Sequence, residues 1–392
     1  MTANSIAADI VVMGGGVVGS ATAYFIKHLN PASVVTVVEP DPTYEYASST
    51  LSSGGCRVQF TAPENIDMSL YSIDFIKTFP DRMRTAHHEA HVDWVEGGYL
   101  FIVPAEVADQ LERNVQHQVA RGAVVDLLDQ KALKETFPAM HVDDLALGAH
   151  SPHDGWCDPN GLLWGFRHKA EALGAVYLGS KVVGADVGAS RIRSIQLQDG
   201  TRIRADAYVN ATGAWSGEVA RLFGMHLPIS PMRRFEHYFT AGSAIGPLPY
   251  VKDLARLAFR SEGPGYSGGL VDGNETRGFN FDVDLGYFER IVWPALAHRF
   301  PAFEATRCHR TWAGLYEVNE LDGNPVIGAW NTRLPDLYTV AGFSGHGMMH
   351  APAAAMAVAE LITYGEYRTL DLSRLGYERV ERSAPYPELG IL

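Results

Sequence analysis

Gly14, Gly16 and Gly19 stand at the G-x-G-x-x-G spacing, after the β-branched run Ile10-Val11-Val12-Met13 and before a helical run through Ala21 and Ala23. In that setting each glycine has a physical task. Gly14 allows a tight turn, Gly16 lets a pyrophosphate approach the backbone, and Gly19 lets helix and strand pack closely. Val17 and Val18 open the helix whose unpaired N–H groups would face the phosphates. Glu39 closes a second apolar run, Val34 to Val38, where a carboxylate can accept hydrogen bonds from an adenosine ribose. This pattern serves chemistry carried by a bound dinucleotide. Downstream, Ala47-Ser48-Ser49-Thr50-Leu51-Ser52-Ser53-Gly54-Gly55-Cys56-Arg57 reads as a loop. Its hydroxyls and free N–H groups suit a phosphate or a flat ring.

Two further glycine turns need strands of their own. Arg202 to Val209 reads as a strand that runs into Asn210-Ala211-Thr212-Gly213-Ala214-Trp215-Ser216, followed by a helix from Ala214 to Phe223. Leu337 to Ala341 reads as a buried strand that enters Gly342-Phe343-Ser344-Gly345-His346-Gly347, followed by an Ala- and Met-rich helix over 348–364. The intervening material has another character. It includes an extended run over 95–103, an amphipathic helix over 105–121, and strand candidates at 234–240, 256–260 and 278–283. Three strand–turn–helix junctions spread along the chain imply a discontinuous nucleotide-binding layer, with a mostly antiparallel second domain made from its insertions. The expected division assigns 1–90, 148–226 and 308–392 to the first domain and 91–147 and 227–307 to the second.

The bulk figures agree with a two-domain globular protein: 392 residues, 46% hydrophobic and 20% charged. A net charge of −13 argues against a nucleic-acid footprint. Cys56, Cys157 and Cys308 have no C-x-x-C spacing, so neither a disulfide framework nor a zinc site is expected. With no basic leader and no long apolar span, a cytoplasmic chain with no transmembrane segment is the expectation.

The combination resembles the D-amino-acid-oxidase-like family of FAD-dependent oxidoreductases, which includes glycine oxidase, sarcosine oxidase and amino-acid dehydrogenases. The residues that carry the likeness are the Gly14–Glu39 fingerprint, Ser48-Ser49, Asn210 to Trp215, Trp312-Ala313-Gly314-Leu315, Asp322-Gly323-Asn324-Pro325 and Gly342 to Gly347. The segments Ser53-Gly54-Gly55 and Gly345-His346-Gly347 also look like a mitochondrial flavoprotein linked to respiratory-complex assembly. The resemblance implies an α/β fold: a discontinuous, Rossmann-like, glutathione-reductase-like FAD-binding domain with a mainly antiparallel β + α substrate domain. It implies that Gly14, Gly16, Val17, Val18 and Gly19 hold the pyrophosphate, Glu39 the ribose, and Ser48, Ser49, Ser52, Ser53 and Gly54 the phosphates or ribityl chain. Val182, Ala211, Thr212, Gly213 and Trp215 would line the cofactor pocket. Gly314 and the turn Gly345, His346, Gly347 and Met348 would lie against the flavin.

Members with covalent flavin use a Cys or His at positions that here look like Gly314 and Ser52, so non-covalent FAD is implied. Where relatives grip a substrate carboxylate with Arg or Lys, this chain has Tyr316 and Met349, and Arg57, Arg234 and Arg256 are the candidate replacements. Tyr316 and His346 are the candidate catalytic residues. The reaction implied is oxidation of a C–N bond in an amine or amino acid by hydride transfer to flavin N5, giving an imine. The electron acceptor would be O2 or a quinone or other electron carrier. A hydroxy-acid dehydrogenase, a flavin-containing assembly or binding protein, and an NAD-dependent dehydrogenase are the alternatives.

Overall fold

The computed structural model describes residues 5–243, 245–254 and 257–388, so Arg256 lies outside the described residues. Strand Ile10–Met13 is buried at every position, as a β-branched run covered on both faces should be. It lies inside a six-stranded sheet whose order is Val326–Trp330, Leu334–Ala341, Ala207–Asn210, Ile10–Met13, Val35–Glu39 and Val176–Gly179. Every neighbouring pair is parallel except the first. The three strands that lead into the glycine turns are therefore adjacent and point the same way. Helix Val17–Leu29 packs against helices Pro159–Ala172 and Gly347–Tyr364 on this sheet. Gly19 permits the close approach: a Cβ there would stand 1.9 Å from the Gly14 carbonyl oxygen.

The expected strand over 202–209 is two strands in two sheets. Arg202–Arg204 joins Ser5–Ala7, Ile192–Leu197 and Val182–Val187 in a four-stranded sheet, whereas Ala207–Asn210 enters the six-stranded one. Between them the N–H groups of Asp206 and Ala207 both donate to the Asp9 carbonyl, at 2.9 and 3.1 Å, and turn the chain from one sheet to the other.

A third sheet has eight strands in the order Thr306–Asn319, Ile229–Ala241, Gly265–Leu270, Leu257–Glu262, Tyr250–Asp253, Tyr99–Val103, Leu147–Ser151 and Asp126–Asp129. It is antiparallel apart from the pairing of Tyr250–Asp253 with Tyr99–Val103. One face packs Leu100, Ile102, Val251, Phe239 and Phe259 against Phe288, Phe300 and Phe303. The period of two then puts Tyr99, Tyr250, Lys252, Ala258, Glu236, Arg234 and Tyr316 on the other face. The expected domain limits at 148 and 308 fall inside two strands of this sheet. Residues 278–283, expected as a strand, form a loop beside an isolated bridge from Arg277 to Met232. Among the described residues no helix is long and apolar enough to cross a membrane.

Candidate functional site

Between the carboxyl ends of the parallel strands and the open face of the eight-stranded sheet lies a cavity of about 1010 Å³. Two helices begin at it. Val17–Leu29 and Gly347–Tyr364 have N-caps, Gly16 and His346, whose side chains cap nothing, and neither helix has an acid in its first turn. Their N-terminal N–H groups and positive dipole ends thus meet the cavity, with Glu317 beside the second: a Cβ at Gly347 would lie 3.2 Å from its Oε1. Gly14 adopts φ +93°, and a Cβ there would stand 2.5 Å from the Ala211 carbonyl oxygen. A side chain at Gly345, φ +109°, would stand 2.4 Å from the Tyr316 ring. Bare backbone is therefore obligatory at both turns.

Most of the residues singled out above line this one cavity: Gly14, Gly16, Val17, Val18, Glu39, Ser48, Ser49, Ser52, Ser53, Val182, Ala211, Thr212, Gly213, Trp215, Gly314, Gly345, His346, Gly347 and Met348. Arg57, Arg234, Tyr316 and Met349 line it as well. Gly19 and Gly54 stand behind the wall. Gly19 serves helix–strand packing, and Gly54 takes φ +77° where a Cβ would stand 2.1 Å from the Cys157 carbonyl oxygen. The serines are largely engaged by protein. Ser48 Oγ donates to the Leu315 carbonyl at 2.6 Å, Ser49 Oγ accepts from Val17 N–H at 3.4 Å, and Ser53 Oγ lies 2.9 Å from the Tyr250 hydroxyl. The loop is thereby tied to the eight-stranded sheet and to the start of helix Val17–Leu29. Glu39 accepts from the N–H groups of Gly15 at 2.7 Å and Asp41 at 2.9 Å, while burial pushes its carboxyl above the usual range.

His346, a candidate catalytic residue, is paired with a second histidine. His346 Nδ1 lies 3.0 Å from His350 Nδ1, and His350 Nε2 lies 2.9 Å from Ser69 Oγ. Burial first, and then the Arg57 charge, push His346 down to about 3. A ring held neutral and tied to a second imidazole carries no titrating charge near neutrality. Tyr316 packs half-buried against the Gly345 turn, with the Arg234 guanidinium 5.0 Å from its ring centre and its hydroxyl pushed up by burial.

Three charged groups on the wall were not singled out from the sequence. Lys252, opposite Phe101 in the sheet, is held well below the ordinary lysine range by burial and by Arg57. Arg57 itself is buried, donates to the Gln59 carbonyl, and lies 4.0 Å from the Phe60 ring centre. Neither cation forms an ion pair among the described residues. Glu236 and Glu317 also line the cavity, and burial pushes each carboxyl up to about 7. A lysine within the otherwise strand-like Tyr250-Val251-Lys252-Asp253 was the one available signal for the first of these.

The model of a family described as FAD dependent oxidoreductase matches residues 9–361. The FAD-dependent oxidoreductase domain-containing protein 1 of Xenopus laevis is 35% identical over 98% of this chain and 85% of its own length. Mitochondrial sarcosine dehydrogenase of Homo sapiens is 26% identical over 91% of this chain and 40% of its own length. L-proline dehydrogenase from P. horikoshii shares the fold at TM-score 0.87 and 27% identity, over 97% of this chain and all of that one. Glycine oxidase from Geobacillus kaustophilus does so at TM-score 0.82 and 21% identity, over 95% and 98% of the two chains.

Proposed function

This chain belongs to the FAD-dependent oxidoreductase family, and we propose that it oxidises the C–N bond of an amino acid to an imine that water then hydrolyses. The observation that carries the amino-acid reading is the pair Arg57 and Lys252, two basic groups on one cavity wall that form no ion pair among the described residues. A substrate carboxylate supplies the missing charge and is gripped by a guanidinium fork and an ammonium together. The Arg or Lys replaced by Tyr316 and Met349 is thereby compensated from a different strand.

The cavity fits FAD on grounds internal to this chain: two helix mouths whose N-cap residues supply no side-chain cap, glycine turns that tolerate no Cβ, and an acid at the end of the second parallel strand. In this proposal Gly14, Gly16, Val17 and Val18 hold the pyrophosphate, Glu39 the ribose, and Val182, Ala211, Thr212, Gly213 and Trp215 the adenosine side. Ser48, Ser49, Ser52, Ser53, Gly314 and the 345–348 turn hold the flavin side. No cysteine or histidine occupies position 314 or 52, so the cofactor is held without a covalent bond. FAD, when bound, supplies the acceptor for the two electrons that leave the carbon next to nitrogen. The protein's own share is position, exclusion of water and charge. The helix mouth at Gly347 favours negative charge beside it, Tyr316 orients the substrate, and neutral His346 fixes the turn through His350. Arg234 stands beside Tyr316 as a further anchor.

The test is a visible spectrum of the purified protein, then an anaerobic screen of L-proline, sarcosine and glycine against the corresponding hydroxy acids. We expect a yellow protein whose flavin bands bleach with an amino acid. Bleaching with hydroxy acids alone would move the reading to C–O oxidation, and a yellow protein inert to all of them would favour an assembly or binding role. Reoxidation by air or only by a quinone identifies the electron acceptor. The proposed location is cytoplasmic, and cell fractionation that finds the chain in mitochondria would replace it.

A further inference from the structure

Glu236 is a carboxyl to which the amino-acid reading has so far given no task. Its Oε1 accepts from Ser267 Oγ at 2.7 Å, and its Oε2 has no protein partner among the described residues. The sheet register places it in a revealing row. Phe101 stands opposite Lys252, Lys252 opposite Ala258, and Ala258 opposite Gly269. His237 opposite Gly268 continues that row to Glu236 on the next strand. A carboxyl and an ammonium thus stand on one line across the wall, separated by the two smallest side chains available. Three inter-strand steps separate their backbones by roughly 14 Å. Both side chains line the cavity, with Gly269 and Ala258 on the wall between them. The polarity of that wall matches an amino acid: positive at Arg57 and Lys252, negative at Glu236.

We propose that Glu236 is a catalytic residue that takes the proton from the substrate's ammonium group while Arg57 and Lys252 hold its carboxylate. The inference rests on the amino-acid reading above. In the step an N–H bond of the ammonium breaks and an O–H bond forms on Glu236 Oε2. No electrons change hands, and the neutral amine keeps the lone pair that C–N oxidation requires. Burial raises the Glu236 carboxyl to about 7, against the pull of Ser267 and Arg260 and with a small push from Glu262. Tyr316 on the adjacent strand, and Tyr250 on the strand of Lys252 across the wall, are themselves pushed up, so neither competes for the proton near neutrality. A base poised at the working pH is ionised often enough to act and basic enough to accept.

The experiment uses the FAD-loaded protein and whichever of L-proline, sarcosine or glycine bleaches it fastest, with 2-furoate as a carboxylate probe that has no amine. In the unaltered protein the anaerobic bleaching rate at low substrate should rise with pH through about 7. Glu236→Gln should lose that limb and slow bleaching about a hundredfold at pH 7. It should recover at high pH, where the free amine is already neutral, and should bind 2-furoate within about twofold of the unaltered affinity. Ser267→Ala removes the hydrogen bond that favours the charged carboxylate and should move the limb to higher pH. A Glu236→Gln protein that keeps the rate and the limb, or a Ser267→Ala protein whose limb stays in place, overturns the assignment of Glu236 alone. If 2-furoate leaves the flavin spectrum of the unaltered protein unchanged and no amino acid bleaches it, the amino-acid reading fails and takes this inference with it.

Discussion

A lysine that lines a cavity among tyrosines and glycine gives up hydration that a surface lysine keeps, and only a partner anion restores it. Among the described residues Lys252 has no such partner, and Arg57 beside it makes its protonation harder still. In holoprotein titrated with 2-furoate at pH 7, Lys252→Met should weaken affinity roughly 10- to 100-fold, the scale of one charge-assisted hydrogen bond. Lys252→Arg should restore most of the loss, and FAD content should be the same in all three. Equal 2-furoate affinity in the Met variant would show that Lys252 does not touch the anion. At this scale the legible residues were those whose task depends on local backbone. Gly14, Gly16 and Glu39 sit at fixed offsets along one strand–turn–helix unit, so spacing alone placed them. Glu236 and Lys252 acquire meaning only from strand register across four strands, and the linear chain does not print register.

Elements whose hydrophobic period was strong were legible; those governed by glycine or by long-range pairing were not. Strand Gly265–Leu270 reads Gly-Tyr-Ser-Gly-Gly-Leu, which looks like a loop, yet it pairs on both sides because small residues suit the wall of a cavity. Residues 278–283 have alternating Phe and Val but find no strand to join. After the short helix Glu378–Glu381 the described chain returns to cap another helix. The Glu388 carboxylate accepts from Thr61 N–H and Oγ1, from Ala62 N–H at 3.2 Å and from Asn65 Nδ2 at 2.8 Å, at the start of helix Pro63–Lys77. Ala62, the N-cap, offers no side-chain acceptor of its own, so an acid more than 320 positions away supplies it. Glu388→Ala should cost about 1–2 kcal/mol of stability, as loss of an N-cap does. Urea unfolding would detect this as a lower midpoint at unchanged slope, and a midpoint equal to that of the unaltered protein would mean that the tail contributes no cap.

Over the whole molecule we take each large sheet as the frame of one domain, with limits at strand ends instead of 148 and 308, and the 47–60 segment as the seam between them. Asp154 fastens that seam. Its Oδ2 accepts from Val58 N–H at 2.9 Å and from Ser151 Oγ at 2.6 Å, one residue past Arg57, and the side chain is buried. Burial raises its carboxyl from 3.8 to about 7, with the hydrogen bonds and Arg57 opposing. A folded-state value above the unfolded one means that the folded state binds the proton more tightly. The group's contribution is therefore fully present below about pH 4 and is lost as pH rises toward 7. The buried histidines act in the opposite sense. His237 is pushed down to about 4 and His346 to about 3, both by burial, so their contribution is full above about pH 6.5 and is lost on acidification. Between pH 4 and 7 the acids held up by burial, Asp154 with Glu236 and Glu317, act against these histidines, so the melting temperature of the unaltered protein should vary less there than either set alone would make it. Asp154→Asn keeps an acceptor oxygen for Val58 and Ser151 but removes the titration, leaving the histidines less opposed. Its melting temperature should gain on that of the unaltered protein as pH goes from 5 to 8. Scanning calorimetry at the two pH values reads that difference directly; a gap between the two proteins that is constant with pH would mean that Asp154 is ionised throughout, held by Arg57 as a charge pair across the seam.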